Sequence, residues 1–104
     1  MDYKKVLELK KRELEQEEKL KRLREELQEN AKLLKQWNDY LIATYGTDDS
    51  NSLSLRYRNQ VGHEVYKDLG SRRKVKDRIE FLKREIEVES VDIELIDEIV
   101  SGIY

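Results

Sequence analysis

Apolar residues recur at alternating steps of three and four along the first 41 residues of the chain. This spacing marks one face of a helix, and no Pro or Gly interrupts residues 2–44. Leu, Glu, Lys, Gln and Arg, which favour helices, dominate the segment. We therefore predict one long helix over residues 2–44 with a heptad seam of the coiled-coil type. The seam consists of Val6, Leu9, Leu20, Leu23, Leu27, Leu34, Trp37 and Leu41, with an early polar break at Glu13 and Gln16 and a single Asn, Asn30, in the middle.

A helix of this length cannot cover its own apolar seam. At 1.5 Å per residue it extends roughly 60 Å, whereas a compact 100-residue domain has a radius of gyration of about 13 Å. Either a later helix of the same chain covers the seam, or the same seam of a second copy does. We expect a homo-oligomer, with a dimer favoured. The expected self-association residues are Leu20, Leu23, Leu27, Asn30, Leu34, Trp37 and Leu41.

For one residue and one segment of this helix, the sequence leaves alternatives open. Asn30 either fixes the register between two copies, as a seam Asn does in dimeric coiled coils, or is locally exposed. Residues 10–26 hold few apolar side chains and also fit a solvated single helix laced with ion pairs.

A cluster of turn residues follows the long helix. Gly46 and the short polar residues after it predict a loop over residues 45–52. Ser50 or Ser52 is expected to cap the next helix, because a Ser hydroxyl accepts from free backbone N–H groups at a helix start.

Residues 53–69 fit two patterns. Alternating apolar residues at Leu53, Leu55 and Tyr57 indicate a strand, whereas a spacing of four through Leu53, Tyr57, Val61 and Val65 indicates a helix. We favour the helix, because a lone strand without a partner is poorly stabilised.

The remaining segments complete an all-α prediction. Gly70 is expected to break the chain, Ser71 to open another helix, and a last short amphipathic segment to begin near Ser90. We predict a single helical domain over residues 1–104, with two or three shorter helices in residues 53–104 packed on the C-terminal half of the long one. The last segment has a dense apolar face, and its candidate partner contacts are Leu95, Ile96, Ile99 and Ile103.

Charge is segregated along the chain, although the formal net charge is only -2. Residues 53–84 hold ten basic and four acidic side chains, whereas residues 85–104 hold seven acidic side chains and no basic one. The basic block either pairs with the acidic block, in the same or a neighbouring chain, or binds nucleic acid. A helix that starts at Ser71 would offer free N–H groups to a phosphate. The candidate nucleic-acid contacts are Arg56, Arg58, Lys67, Arg72, Arg73, Lys74, Lys76 and Arg78.

Side chains suited to catalysis or metal binding are scarce. The absence of Cys excludes thiol chemistry and Cys-ligated metals, and Lys67 stands where a zincin-type motif starting at His63 would need a second His. The four glycines lie far apart and form no phosphate-binding loop. Residues 48–51 lack the ligand spacing of an EF-hand. We expect no catalytic residue, no metal and no cofactor.

Aromatic residues gather near the end of the long helix, at Trp37, Tyr40 and Tyr45. They favour a core on which later helices pack, with a partner-docking site as the alternative.

The functional prediction follows from these patterns. No apolar run approaches the length of a membrane span and the first residues are polar, so we expect a cytoplasmic protein without a membrane partner. We predict a non-enzymatic helical interaction, adaptor or inhibitor protein that self-associates and binds a protein partner stoichiometrically. The alternative is a small nucleic-acid-binding regulator that uses residues 56–84. The Lys-, Glu- and Ile-rich composition without proline suits an accessory protein of a bacterium or phage.

Overall fold

The computed structural model describes residues 2–60 and 63–103, with the side chains of residues 97 and 100–103 left out. Helices hold 91% of the described residues, and none of these residues lies in a strand. Helix α1 spans Tyr3–Tyr45, α2 spans Ser50–Tyr57 and α3 spans Glu64–Ile103. The all-α prediction is confirmed.

Helix α1 ends at the glycine that the sequence indicates. Gly46 has a φ of 85°, a left-handed conformation that glycine adopts without steric cost. Its N–H donates to the carbonyl of Ile42 at 2.8 Å, which satisfies one of the last free carbonyl groups of the helix. The predicted helix over residues 2–44 therefore agrees with α1 to within one residue at each end.

Asp49 caps α2, so the prediction of Ser50 or Ser52 as the cap was wrong. One Asp49 carboxylate oxygen accepts from the N–H of Asn51 at 3.1 Å, and the other accepts from the hydroxyl of Ser52 at 2.8 Å. The hydrogen bond from Ser52, followed by that from Asn51, lowers the pKa of Asp49. A charged carboxylate is a stronger hydrogen-bond acceptor than a serine hydroxyl, and it is also stabilised by the positive end of the helix dipole.

The chain leaves the helical path between α2 and α3. The N–H of Gln60 donates to Tyr57 at 2.9 Å, and the N–H of His63 donates to Gln60 at 3.0 Å. Nδ1 of His63 then accepts from the N–H of Val65 at 3.2 Å and caps α3. The helix predicted for residues 53–69 is confirmed at both ends and wrong as a continuous helix, and Val61 lies outside the described residues. The strand alternative is wrong for Leu53 to Tyr57, which belong to α2.

Helix α3 runs through both positions at which we predicted a helix start. Gly70 and Ser71 are the seventh and eighth residues of α3. The chain after the loop therefore forms one short helix, α2, and one helix of 40 residues, α3, instead of two or three short ones. An interior glycine costs a helix about 1 kcal/mol relative to Ala, and burial of the residues around it offsets this cost. Ser90 also lies inside α3, where its hydroxyl donates to the carbonyl of Ile86 at 2.7 Å instead of capping a new helix.

The chain forms two compact units. The first contains Met1–Leu27 and Phe81–Tyr104, and the second contains Gln28–Glu80. In the second unit, Leu41, Leu53 and Val65 form a fully buried cluster that joins α1, α2 and α3. The side chains packed against it are Tyr45, Tyr57, Tyr66 and Leu69.

Helices α1 and α3 run in opposite directions in the second unit. Asn38 of α1 bonds Arg72 of α3, and Tyr45, one heptad later, bonds Asp68, which precedes Arg72. Helix α2 packs on this pair through one face: Leu53 belongs to the buried cluster with Leu41 and Val65, while Leu55 of the same helix is 66% exposed.

The first unit consists of the N-terminal part of α1 and the C-terminal part of α3. Its buried side chains repeat at intervals of seven on both helices, which is the period of two helices packed lengthwise. On α1 they are Val6, Glu13 and Leu20, and on α3 they are Leu82, Glu89 and Ile96. An ion pair links the two helices, with Nζ of Lys19 2.7 Å from Oε1 of Glu89.

Candidate interaction surfaces

The seam predicted on α1 is the face that the rest of the chain covers. All eleven seam positions, from Val6 to Leu41, are buried or half-buried in the single chain. Leu20 and Leu41 are buried, and the other five expected self-association residues are half-buried, namely Leu23, Leu27, Asn30, Leu34 and Trp37. Within each unit α3 of the same chain lies alongside α1, and in the second unit α2 contacts α1 as well. The covering of the seam therefore requires no second copy.

The first unit contains an unusually polar interior. Glu13 and Glu89 are each only 8% exposed, and Oε1 of Gln16 is buried without a hydrogen-bond partner among the described residues. Oε2 of Glu13 lies 3.6 Å from Nζ of Lys10. The hydrogen bond to Glu89, together with its charge, raises the pKa of Lys19. Buried carboxylates are costly unless they are paired, and Lys10 and Lys19 supply cationic partners to Glu13 and Glu89.

Arg72 is the predicted nucleic-acid contact that the structure places in the interior. It is 3% exposed, and its guanidinium donates to the side-chain oxygen of Asn38 at 3.0 Å. It also donates to the carbonyl of Asp48 and to the hydroxyl of Ser50. These bonds tie α3 to α1, to the loop after α1 and to the start of α2. The structure does not place Arg72 as an external contact, because its side chain is buried and three of its five N–H groups donate within the chain.

The other predicted basic contacts lie on the surface, and of these only Lys67 lies in the first turn of a described helix. Arg56 is exposed and donates to the carbonyl of Tyr45 at 2.9 Å. A groove of about 420 Å³ beside Arg72 is also lined by Arg73 and Lys76, together with Asp77 and Glu80. Because α3 is already helical at Ser71, the free N–H groups expected there are absent from the described helix. The remaining exposed candidates are Arg58, Lys67, Lys74 and Arg78.

The aromatic residues near the end of α1 divide into two groups. Tyr45 packs on the buried cluster and donates to Oδ2 of Asp68 at 2.8 Å; burial, then this bond, raises the pKa of Tyr45. Trp37 and Tyr40 contact each other edge to face, with ring centroids 5.7 Å apart. Together with Leu33 they line a shallow cleft of about 300 Å³. The core hypothesis therefore holds for Tyr45, while Tyr40 stays exposed.

The predicted C-terminal contact residues lie on different faces of α3. Ile96 is buried in the first unit, whereas Leu95 and Ile99 are exposed. The side chain of Ile103 is outside those that the structure describes. Two further apolar residues, Val88 and Val91, are exposed on the same helix and are not among the predicted contacts.

Four of these exposed residues form one surface, which we call the outer stripe: Val88, Val91, Leu95 and Ile99. Each is between 51% and 56% exposed, and their spacing of three, four and four places them on a single helix face. The sequence indicates the outer stripe by a second set of apolar residues at helical spacing, on a different face from the buried residues Leu82 and Ile96. It was missed because one expected helix start, at Ser90, divides it.

The described residues contain no group of three or more His, Cys, Asp and Glu side chains arranged to hold a metal ion. Within the same part of the chain, no helix has an apolar stretch long enough to cross a membrane. No family model, curated protein or solved structure matches the chain.

Proposed function

We propose that this chain is a non-enzymatic helical interaction protein that acts by stoichiometric binding of a protein partner. The observation that carries the proposal is the outer stripe. Four aliphatic side chains remain about half exposed on one face of α3, while a different face of the same helix, with Leu82, Glu89 and Ile96, is buried. Contiguous apolar surface of this kind marks interaction sites more often than isolated exposed residues do.

Site-specific photo-crosslinking tests this function. The protein is produced in its own cells with a photoreactive residue in place of Val91. In the matched control the photoreactive residue takes the place of Lys21, an exposed position on α1. We expect one dominant product of fixed stoichiometry from position 91, lost when Leu95→Lys is added, and no equivalent product from position 21. No product, or the same products from both positions, would contradict the function.

Nucleic-acid binding is the second candidate, because Lys67, Arg73, Lys74 and Lys76 are exposed within three turns of α3. Phosphate contacts predict an affinity that falls steeply as salt rises. A gel-shift titration at two salt concentrations, with Arg73→Gln/Lys76→Gln as the variant, measures this. The absence of a shift at low salt would remove the candidate.

Self-association through the α1 seam remains a prediction, and it now requires a change in the position of α3. Since α3 of the same chain lies along the seam in each unit, pairing through Leu23 or Leu34 requires α3 to leave its position. Exchange of α3 between two copies would satisfy that condition and would preserve the contacts of the single chain.

A further inference from the structure

We propose that the outer stripe docks a basic amphipathic helix supplied by a different protein. Apolar residues of that helix would contact Val88, Val91 and Leu95, and its Lys or Arg side chains would face the carboxylates beside the stripe. This inference rests on the proposed function, because it names the chemistry of the partner at the same surface.

The spacing of the stripe suits a second helix lying lengthwise. Val88 and Leu95 are one heptad apart and Val91 lies between them, which corresponds to positions a, a and d of a coiled-coil seam. An apolar helix face read at these steps is the pattern that helix-in-groove partners use. The stripe covers three turns of α3, from Val88 to Ile99, so a short partner helix is sufficient.

The charges beside the stripe select the partner. In the heptad register above, Glu87 and Glu94 flank Val88, Val91 and Leu95 on one side and Asp92 flanks them on the other, while Ile99 follows Glu98, the next seam position. Glu87, Glu94 and Glu98 are exposed, and residues 85–104 contain no basic side chain. Flanking charges of this kind determine which helices pair, so the complementary helix carries Lys or Arg at the facing positions.

The same charges argue against the stripe of a second copy as the occupant. Two outer stripes placed face to face would bring Glu87 and Glu94 of each copy against acidic residues of the other, and like charges across a helix pair are destabilising. The basic half of α3 is unsuitable as well, because its exposed residues between Glu64 and Glu80 are charged or glycine and offer nothing apolar.

The acidic flanks also disfavour two other classes of ligand. Phosphate backbones and anionic membrane surfaces attract Lys and Arg, and they repel a face whose exposed charges are all carboxylates. A second occupant from this chain remains, namely the exposed apolar residues Tyr3, Leu7 and Leu14 of α1 in another copy. That contact would join different faces head to tail, so its mass would grow with concentration.

Two designed peptides test the proposal on the intact protein. Both have about three heptads with Leu at a and d, and one carries Lys at e and g where the other carries Glu. Fluorescence anisotropy of labelled peptide is measured at low and at physiological salt. We expect 1:1 binding of the Lys peptide at least tenfold tighter than binding of the Glu peptide, with the difference reduced by salt.

Paired variants locate the contact. Val88→Lys/Leu95→Lys is expected to weaken Lys-peptide binding at least tenfold, whereas Leu7→Lys/Leu14→Lys, which alters two exposed leucines of α1, leaves it unchanged. Glu87→Lys/Glu94→Lys is expected to transfer the preference to the Glu peptide, while Glu15→Lys/Glu18→Lys on α1 leaves the preference for the Lys peptide. Circular dichroism and the melting temperature identify any variant that has lost its fold.

Equal affinity for the two peptides would overturn the proposal. An equal loss of Lys-peptide affinity in Val88→Lys/Leu95→Lys and in Leu7→Lys/Leu14→Lys would overturn it as well. So would a mass that rises with concentration in light scattering and returns to that of one chain in Leu7→Lys/Leu14→Lys. A crosslinked partner from position 91 without Lys-peptide binding would leave the interaction function standing and reject the basic helix. Failure of both experiments would reject the function itself.

Discussion

Arg72 lies in the interior of the chain, although its place in a basic segment of the sequence indicates a surface charge. Its guanidinium reaches three acceptors on α1, the following loop and α2, namely Asn38, Asp48 and Ser50. All three accepting groups are neutral, so Arg72 holds the second unit together by directed hydrogen bonds. The planar fork of a guanidinium serves several acceptors at once, which a lysine ammonium on a flexible chain cannot reproduce.

We expect Arg72→Lys to destabilise the chain by about 2 kcal/mol, because Arg72 is a buried charged donor and one ammonium cannot replace all three of its hydrogen bonds. Urea unfolding followed by circular dichroism measures the change. Arg73→Lys is the control, since Arg73 is the exposed neighbour on the same helix. An unchanged unfolding midpoint in Arg72→Lys would show that the interior bonds contribute nothing.

Gln16 gives the opposite expectation. Its buried side-chain oxygen has no partner among the described residues, and it occupies a seam position between two helices. Gln16→Leu should therefore stabilise the chain by about 1 kcal/mol, because an unsatisfied buried acceptor is removed and apolar surface is added. Thermal unfolding measures this, with Gln28→Leu, at an exposed position of α1, as the control. A lower melting temperature in Gln16→Leu would contradict the expectation.

At the scale of elements, α2 depends on one anchor. Leu53 is fully buried with Leu41 and Val65, whereas Leu55, two residues later, is mostly exposed. Leu53→Ala is expected to destabilise the chain by about 2–5 kcal/mol because it leaves a cavity. Leu55→Ala should change the stability by less than about 0.5 kcal/mol. Chemical denaturation of both variants provides the comparison, and equal effects would show that α2 is not anchored through Leu53.

The start of α2 should respond to acid. Because hydrogen bonds lower the pKa of Asp49 in the folded chain, its cap stabilises above the ordinary pKa of 3.8. The contribution is lost as the pH falls through the lower folded value. Asp49→Asn keeps an acceptor that does not titrate, so its stability relative to the original chain should improve with acidification.

Thermal unfolding from neutral pH to about pH 2 measures this difference between the two chains. Ser52→Ala removes the donor that lowers the Asp49 pKa most, and it should reduce the acid-sensitive part of the stability. Parallel pH profiles for Asp49→Asn and the original chain would contradict the assigned cap.

At the scale of the whole molecule, the seam of α1 is covered by α3 of the same chain within each unit. We therefore expect the melting temperature to be independent of protein concentration over about a hundredfold range, because no association step accompanies folding. A midpoint that rises with concentration would restore pairing of copies as part of the fold. Light scattering of the Asn30→Leu variant then shows whether Asn30 limits the number of copies.

The helical class, the bounds of α1 and its buried face could be predicted from the sequence. Periodicity and helix propensity act locally, and Gly46 ends α1 through its own backbone conformation. The sequence could not predict whether the seam packs against a helix of the same chain or against a second copy. The same apolar face can pack against either one.

Tertiary packing decided the remainder. Gly70 and Ser90 stay inside α3 because the packing of that helix outweighs their weak local preference to end it. Arg72 is drawn inward by acceptors that lie 22 to 34 residues away in the chain, which no local pattern reveals. The outer stripe becomes visible only when α3 is one helix, since only then do Val88 and Ile99 share a face while Ile96 turns towards α1.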